Sequence, residues 1–394
     1  MSAAVMLSDV AELVMGQSPP STSYNDVGDG LPFYQGKTDF GATYPTPRIY
    51  CSEPKKLAQE GDILMSVRAP VGATNLCRSK SCIGRGIAAI RAQGIDRDFL
   101  YFYLKKIETY IDSLGSGAIF KAINKSQLAE LPINDAGISL PEQKKIAHIL
   151  STIQRAIEAQ ERITQTTTEL KKALMHKLFT EGLRGEPQKL TEIGPVPESW
   201  EVVPLFDVCR FQSGGTPSKQ KPEFWQGTIP WVSPKDMKRP RLNDVSDHIS
   251  QEALESGSKL APAGSVFVVV RGMILAKTVP VALAEVPMAI NQDMKAIVPG
   301  PRLRSDFLLY ALEAFRENLF KKVGRSGHGT CTLMGHEIAA FKIPLPDIES
   351  QQGIGSALQN LERKKELHER KRDRLQDLFR TLLHELMTAK TRIK

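Results

Sequence analysis

The stretch LSDVAELVMGQSPPS (Leu7–Ser21) decides the fold, because it returns as LFDVCRFQSGGTPS (Leu205–Ser218). Leu7, Asp9 and Val10 each find the same residue type 198 positions later. Self-similarity over such a long period indicates a duplicated domain and not a short-period solenoid. The first question is therefore how far the repetition extends.

Further matches follow in the same order along both halves. GDILMSVRAPVG (Gly61–Gly72) aligns with GSVFVVVRGMIL (Gly264–Leu275), which places Arg68 on Arg271. FLYFYL, which begins at Phe99, aligns with FLLYAL, now 208 positions later. Each copy spans nearly half of the 394 residues, which predicts a tandem duplication.

Each copy begins with a part in which short β-rich runs alternate with turns. GDILMSVR and GSVFVVVR are typical of buried strands entered through a glycine turn. The segments Asp96–Leu114 and Arg304–Val323 predict helices, each with an acidic first turn. We therefore expect a compact α+β domain with basic, irregular loops in each copy.

A long helix is predicted after each globular part. Its apolar residues recur in steps of three and four, as in the heptad seam of a coiled coil. The predicted seam consists of Ile146, Leu150, Ile153, Ile157, Leu170, Leu174 and Leu178, with Ile354, Leu358, Leu361, Leu375, Leu378, Leu382 and Leu386 in the second copy. The middle of each seam is polar, at Gln160, Thr167 and His368 among others. Polar seam positions cost stability but fix register and partner, so we interpret His368 as a solvated or register-setting residue.

Two similar domains and two matching helices predict an antiparallel coiled coil with approximate two-fold symmetry and one domain at each end. A seam of about 33 residues spans roughly 50 Å, which is on the order of fifteen base pairs of B-DNA. Such a rod suits two DNA-binding domains that recognise different half-sites on either side of an unread spacer. The predicted ranges are 1–140 for the first domain, 141–182 for the first helix, 183–204 for a linker, 205–346 for the second domain and 347–391 for the second helix.

Composition narrows the class of protein. The net charge of +8 favours an anionic partner such as nucleic acid. No apolar run is long enough for a transmembrane helix, and the N-terminus lacks the pattern of a secretory signal, so we expect a cytoplasmic protein. The five cysteines are scattered, with no spacing typical of a zinc site, so no metal is expected.

One stretch suggests a different class, a nucleotide-dependent enzyme. GDGLPFYQGKTDFG (Gly28–Gly41) ends like a P-loop, but five residues instead of four separate Gly30 from Gly36-Lys37-Thr38. One of the five is a proline, which has no N–H to offer a phosphate. A third hypothesis is a coiled-coil adaptor that does not bind DNA.

If the domains bind DNA, their loop lysines and arginines are the candidate contacts to phosphates and bases. Arg68 and Arg271 stand out because both copies keep an arginine after a buried strand, although a structural ion pair would explain this equally well. Tyr34, Tyr44, Trp225 and Trp231 are candidates to pack beside the sugar-phosphate chain, with core or loop packing as the more ordinary explanation. The full set of cations is Lys37, Arg48, Arg68, Arg78, Lys80, Arg85 and Lys121 in the first domain, and Lys219, Lys221, Lys235, Lys238, Arg239, Arg241, Arg271, Lys277 and Arg325 in the second.

The ordered set of motifs resembles the specificity subunit of type I restriction-modification systems. The resemblance covers almost the whole chain and is carried by the repeated Leu-x-Asp-Val opening and by GGTPSK, IPWVSPKDM, TEIGPVPESWEVVPL, LPEQKKIAHIL and LKKALMHKLF. It implies two target recognition domains on double-stranded DNA and a coiled coil that sets the spacer and binds two methyltransferase subunits. Motor-nuclease subunits would join that core in the prokaryotic cytoplasm, associated with the nucleoid.

The resemblance also implies that the chain is not an enzyme and carries no cofactor. S-adenosylmethionine, ATP and Mg²⁺ would act in the partner subunits. The residues agree, because the chain has no amino-methyltransferase motif, no helicase P-loop and no clustered nuclease carboxylates.

Overall fold

The computed structural model describes residues 5–115, 121–133, 137–325 and 330–388. The chain divides into two compact units, and each long helix contributes to both. Unit 1 comprises residues 1–164 together with 367–394, and unit 2 comprises residues 165–366. The outermost parts of the predicted ranges 1–140 and 347–391 lie outside the described residues.

Unit 1 contains the first globular part. Its strands are β1 (Val5–Met6), β2 (Ala11–Met15), β3 (Tyr24–Asn25), β4 (Leu31–Tyr34), β5 (Tyr50–Cys51), β6 (Leu57–Ala58), β7 (Ile63–Ser66), β8 (Thr74–Leu76), β9 (Ser81–Ile83), β10 (Ile87–Ala92) and β11 (Pro132–Ile133). Its helices are α1 (Leu7–Val10), α2 (Arg97–Lys106), α3 (Glu108–Leu114) and α4 (Lys125–Ala129), followed by α5 (Leu140–Glu181), which continues into unit 2.

Unit 2 contains the second globular part. Its strands are β12 (Gln188–Thr191), β13 (Gly194–Pro197), β14 (Glu201–Pro204), β15 (Cys209–Ser213), β16 (Ile229–Val232), β17 (Arg241–Leu242), β18 (His248–Ile249), β19 (Leu260–Ala261), β20 (Val266–Val269), β21 (Val281–Ala284), β22 (Met288–Ile290), β23 (Met294–Pro299), β24 (Gly324–Arg325), β25 (Cys331–Thr332) and β26 (Lys342–Leu345). Its helices are α6 (Leu205–Val208), α7 (Gln251–Glu255), α8 (Ser305–Ala314), α9 (Arg316–Phe320) and α10 (Gly335–Ala339), and α11 (Ile348–Met387) returns to unit 1.

The two copies share their sheet topology, which confirms the predicted α+β class and the tandem repeat. The order β2-β10-β7-β8 in unit 1 corresponds to β15-β23-β20-β21-β17 in unit 2. The order β3-β5-β4-β9-β6 corresponds to β18-β16-β22-β19. The predicted buried strands are β7 and β20, and every residue of both is buried because apolar side chains from both faces of each strand pack into hydrophobic cores.

The segment predicted as a linker, 183–204, has regular structure. Its strands β12 and β13 form an antiparallel hairpin, and β14 pairs with β26. Trp200, in the same segment, is 2% exposed and packs against Phe179 and Phe307. The segment is therefore an ordered part of unit 2 and contributes Trp200 to its core.

Helices α5 and α11 pair in antiparallel fashion, as predicted. In unit 1, Gln160 hydrogen-bonds His368 at 2.7 Å. In unit 2, Lys171 contacts Glu362. A later residue of α5 thus contacts an earlier residue of α11, which means that the two helices run in opposite directions. Gln160 and His368 are also repeat equivalents, 208 positions apart. At this point of the seam, two equivalent polar residues thus contact each other.

Burial agrees with the predicted seam at most positions but not at Leu170 and Leu378, which are 52% and 45% exposed. The prediction is wrong at these two equivalent residues. Lys171 and Phe379, one residue further along, point inward instead, and one residue corresponds to about 100° around a helix. Of the other seam residues, Ile146, Leu150, Ile157, Leu178, Ile354, Leu358 and Leu386 are buried, and Ile153, Leu174, Leu361, Leu375 and Leu382 are half-buried.

A buried glutamine ties each long helix to its own globular part in the same way. The Gln143 side-chain oxygen accepts from the Asp96 N–H at 3.0 Å, and its amide donates to the Ile138 carbonyl. The Gln351 oxygen accepts from the Arg304 N–H at 2.8 Å, and its amide donates to the Arg302 and Pro346 carbonyls. Both glutamines precede the first turns of the seam, so the start of each helix is fixed to the domain beside it.

Candidate nucleic-acid interface

Unit 1 has a basic cleft of about 440 Å³ on the surface of its first globular part. Three of the predicted DNA-contacting cations, Lys37, Arg68 and Arg85, line it. The remaining lining residues are small or polar: Ser18, Tyr24, Gln35, Gly36, Thr38, Ser66, Ala69, Pro70 and Gly86. We call this site the unit 1 cleft.

Backbone contacts fix the position of Arg68 in the lining of the cleft. Arg68 follows β7 and forms an isolated antiparallel bridge with Ala122. The next residue, Ala69, donates its N–H to the Lys121 carbonyl at 3.0 Å, and the preceding Val67 donates to the Gly86 carbonyl at 2.9 Å. The side chain is exposed and makes no ion pair with any residue in the described ranges. The backbone therefore fixes the position of Arg68, and no described carboxylate neutralises its charge.

Arg271 occupies the same frame in unit 2. It follows β20 and bridges to Thr332. Gly272 donates its N–H to the Cys331 carbonyl at 3.0 Å, and Val270 donates to the Asp293 carbonyl at 2.8 Å. The Arg271 side chain is also exposed, and no described carboxylate pairs with it. The structural ion pair that would have explained both arginines is absent from the described part of the chain.

The Gly-Lys-Thr stretch does not have the geometry of a P-loop. Lys37 begins a three-residue 3₁₀ turn, whereas a P-loop leads into an α-helix that directs its N-terminus at the phosphates. The Asp39 carboxylate already accepts the N–H groups of Gln35 at 2.7 Å and Gly36 at 3.3 Å. The Asp39 carboxylate thus already binds the backbone N–H groups that a P-loop would offer to a phosphate. In unit 2 the Asp236 carboxylate accepts from the Ser233 N–H in the same way.

Several predicted cations take part in ion pairs at the surface. Lys37 lies 3.7 Å from Glu108, and Lys121 lies 3.2 Å from Asp112, whose pKa it lowers. Exposed pairs of this kind contribute little stability, so they do not prevent either lysine from contacting a phosphate. The same holds for the exposed pair of Lys235 with Asp247 at 2.6 Å.

Arg48 has a more structural placement. It donates to the buried Asp39 carboxylate from both Nε and a terminal nitrogen, so it supports the turn that carries Lys37. Arg78 lies over the Tyr44 ring at 4.5 Å and Lys221 over Phe224 at 4.8 Å. The remaining predicted cations are exposed: Lys80, Lys219, Lys238, Arg239, Lys277 and Arg325.

Arg241 does not fit its predicted role as a DNA contact. Its side chain is only 15% exposed and lies 3.6 Å from the Glu362 carboxylate, which is itself 7% exposed. A terminal nitrogen donates to the Tyr310 hydroxyl at 3.3 Å. The charged head therefore faces the core of unit 2, because a buried carboxylate on α11 needs a cation there.

The same carboxylate also binds Lys171, and this buried network was not predicted. Lys171 contacts Glu313 at 2.7 Å as well as Glu362. Burial alone would lower the pKa of Lys171, but the two carboxylates outweigh it and raise the pKa above its ordinary value. The Lys171 ammonium therefore stays charged inside unit 2.

Most of the aromatic candidates serve packing. Tyr34 and Trp231 are 4% and 6% exposed, and Trp225 packs edge-on against Trp231 at 5.0 Å. Tyr44 is 39% exposed beneath Arg78. Of these four rings, only Tyr44 is exposed and only Trp225 is half-buried, so they alone leave surface for a ligand.

Within the described residues, no group of histidine, cysteine or acidic side chains is arranged to hold a metal ion. None of the helices among these residues combines the length and apolarity needed to cross a membrane.

Two similar α+β domains, each with an exposed arginine at the same structural position, and two paired long helices define a tandem-repeat protein with one candidate binding surface in each copy. Residues 3–168 and 197–377 each match the family model described as the type I restriction modification DNA specificity domain. The chain belongs to this family.

Relatives with curated descriptions carry the same designation. One is the putative type I restriction enzyme MjaX specificity subunit of Methanocaldococcus jannaschii, 44% identical over 175 residues, which are 44% of this chain and 41% of the relative. Another is the EcoR124I/EcoR124II specificity subunit of Escherichia coli, 40% identical over 152 residues, 38% of each chain. The alignments thus span about two-fifths of the length of these relatives.

A solved structure extends the comparison to the full fold. The S subunit of a type I restriction-modification system from M. genitalium has a TM-score of 0.68 and 16% sequence identity, covering 98% of this chain and 97% of that chain. At this identity the likeness shows a shared fold.

Proposed function

We propose that this chain is the specificity subunit of a type I restriction-modification complex and binds DNA without catalysing a reaction. The target recognition domains, 1–140 and 205–346, each recognise one half of an asymmetric two-part site. The observation that carries the proposal is the exposed, unpaired arginine in the same backbone frame of both copies, Arg68 and Arg271. The net charge of +8 and the family membership support it.

The surface cations supply the contacts to DNA in this proposal. Phosphate contacts provide affinity in any sequence, whereas base contacts provide specificity. Arg241 is left out because its charge is committed to Glu362. The proposed DNA-contacting set is otherwise the one predicted from the sequence, with Arg48 acting mainly through Asp39.

The two long helices, predicted as 141–182 and 347–391, set the spacer between the half-sites and bind two methyltransferase subunits. The segment 183–204 connects the first helix to the second domain. Motor-nuclease subunits complete the assembly, and S-adenosylmethionine, ATP and Mg²⁺ act in those partners. This part of the proposal is supported by the designation of the relatives as specificity subunits of type I restriction enzymes, which names one component of a larger complex.

The test is co-expression with the cognate methyltransferase subunit in an unmethylated host, followed by modification-sensitive sequencing of the host genome. We expect a single asymmetric motif in two parts, separated by a fixed number of unread bases. The control expresses the methyltransferase subunit alone and should leave the genome unmodified.

The opposite outcome is a complex that purifies intact but produces no new methylation. Binding of that complex to DNA at several salt concentrations then separates two explanations. Salt-sensitive binding would indicate a defective recognition domain. Its absence would favour the adaptor hypothesis and refute the proposal.

A further inference from the structure

The loop between β9 and β10 presents one side chain to the unit 1 cleft. Gly84 and Gly86 are buried, and Arg85 between them is exposed. A Cβ atom on Gly86 would meet the Gln35 carbonyl oxygen at 2.1 Å, and one on Gly84 would meet the Phe33 ring at 3.1 Å. Residue 86 therefore has no room for a side chain, and residue 84 would have room only if the Phe33 ring moved, so Arg85 is the side chain that this loop projects.

Hydrogen bonds fix the same loop. The Ile87 N–H closes a tight turn onto the Gly84 carbonyl at 3.0 Å, and the Arg85 N–H donates to the Ser18 hydroxyl at 3.4 Å. The Arg85 side chain makes neither a hydrogen bond nor an ion pair with the described residues. A guanidinium that a rigid loop directs into a basic cleft without a partner is available to a ligand with acceptor atoms.

In unit 2 the same position holds Gln292. The parallel pairs Tyr34–Ile83 and Val232–Ile290 align the two loops, so the second residue after each isoleucine corresponds. That residue is Arg85 in one copy and Gln292 in the other.

The backbone contacts of the two loops confirm this alignment. The residue after Gln292, Asp293, accepts from the Val270 N–H, as Gly86 does from Val67. Gln292 is exposed, and its side-chain oxygen is hydrogen-bonded to the hydroxyl of Thr216, which corresponds to Ser18. The backbone course of the loop and the hydroxyl beside it are thus retained, while the projecting side chain differs and Asn291 and Asp293 replace the flanking Gly84 and Gly86.

We infer that residue 85 and residue 292 determine base specificity: Arg85 recognises a guanine in the half-site of unit 1, and Gln292 an adenine in the half-site of unit 2. Arginine donates two hydrogen bonds to guanine O6 and N7, whereas glutamine pairs with adenine N6 and N7. The Thr216 hydroxyl orients the Gln292 amide and leaves its oxygen one lone pair for adenine N6–H.

Arg68 and Arg271 have the complementary role. Both copies keep arginine at this position although their half-sites differ, which suits a contact to phosphate, the part of DNA that is the same in every sequence. This assignment of phosphate contacts to Arg68 and Arg271 and of base contacts to Arg85 and Gln292 rests on the proposed DNA-specificity function. It goes further by naming the residues that discriminate between bases.

The experiment uses the complex with the methyltransferase subunit and compares the methylated motifs of variants. We expect Arg85→Ala to relax one G·C position of one half-site, lowering discrimination there by about 5- to 150-fold, and to leave the other half-site unchanged. Arg85→Gln should shift that position towards A·T, and Gln292→Arg should shift one A·T position of the other half-site towards G·C. Each of these two side chains already occupies the exposed position of the equivalent loop in the other unit, so we expect both variants to fold.

The matched control is Arg68→Ala, which should reduce methylation evenly at all sites without changing the motif. The inference is overturned if Arg85 variants behave like Arg68→Ala, or if the motif keeps every position at full discrimination. A wild-type complex that methylates no motif and shows no salt-sensitive binding to DNA would overturn the proposed function together with this inference. A wild-type motif that no variant alters would overturn the inference alone.

Discussion

Replacing Lys171 by alanine tests whether the buried charge network stabilises unit 2. The change leaves Glu313 and Glu362, whose side chains are 12% and 7% exposed, without the ammonium between them. Removing one partner of a buried pair costs about 3–5 kcal/mol, and because Arg241 remains 3.6 Å from Glu362 we expect about 2–3 kcal/mol here. For a unit of this size each kcal/mol lowers the melting temperature by about 2–4 °C, so the midpoint should fall by about 4–12 °C.

Tryptophan fluorescence makes this measurement specific to unit 2. All three tryptophans of the chain, Trp200, Trp225 and Trp231, lie in that unit. Thermal unfolding followed by tryptophan fluorescence should therefore shift in Lys171→Ala and stay unchanged in Lys172→Ala, a control at the exposed neighbouring position.

A second variant separates lost charge from lost packing. Phe379 and Gln154 are the repeat equivalents of Lys171 and Glu362, 208 positions away. The double change Lys171→Phe with Glu362→Gln should recover part of the loss, because it removes one of the two carboxylates that Lys171 neutralises and refills the vacated space with an apolar side chain, while Glu313 still lacks the ammonium. If Lys171→Ala unfolds at the wild-type temperature, the network contributes no net stability and the reasoning is refuted.

Three further predictions concern DNA binding, the spacer and pH. Arg271→Ala should weaken binding of the complex to DNA of any sequence and reduce the slope of log affinity against log salt by about one, with the fluorescence midpoint unchanged; an unaltered slope would argue against a phosphate contact. Inserting four residues after Thr168 adds roughly 6 Å of helix and should lengthen the spacer in the methylated motif by one or two base pairs, whereas a constant spacer would show that α5 is not the ruler. The pKa values of Lys171 and Tyr310 are raised, so the folded unit keeps protons that the unfolded chain loses, and unit 2 should lose stability as the pH rises above about 10 in fluorescence-monitored unfolding.

Periodicity and repetition were enough to predict the fold. The strands β7 and β20 followed from their apolar runs between glycine turns, and α5 and α11 from the spacing of their leucines. The predicted seam was wrong at Leu170 and Leu378, which are exposed. A heptad pattern of apolar residues does not reveal where the inward-facing side of a helix shifts by one residue. Tertiary contacts decide such a change.

The candidate site was only partly predictable. The alignment of Arg68 with Arg271 was visible in the sequence. Only the structure shows that both residues form the same backbone bridge after their strand. Arg241 looked like its neighbours Lys238 and Arg239, but only the fold shows that Glu362 lies beside it. Gln292 was missed because a search for cations passes over a neutral side chain, although its position beside Thr216 repeats that of Arg85 beside Ser18.

The division of the chain into units also has a consequence for its biosynthesis. Unit 2 is a single continuous segment, whereas the core of unit 1 contains Phe379, Leu386 and Met387 from the end of α11. The domain that leaves the ribosome first is therefore the last to complete its core, the reverse of the usual N-terminal-first order. Until α11 is made, the apolar face of α5 around Ile146 and Leu150 has no partner from this helix. A nascent or truncated chain would expose that face, which gives the cell's chaperones and proteases a means to distinguish incomplete copies from finished ones.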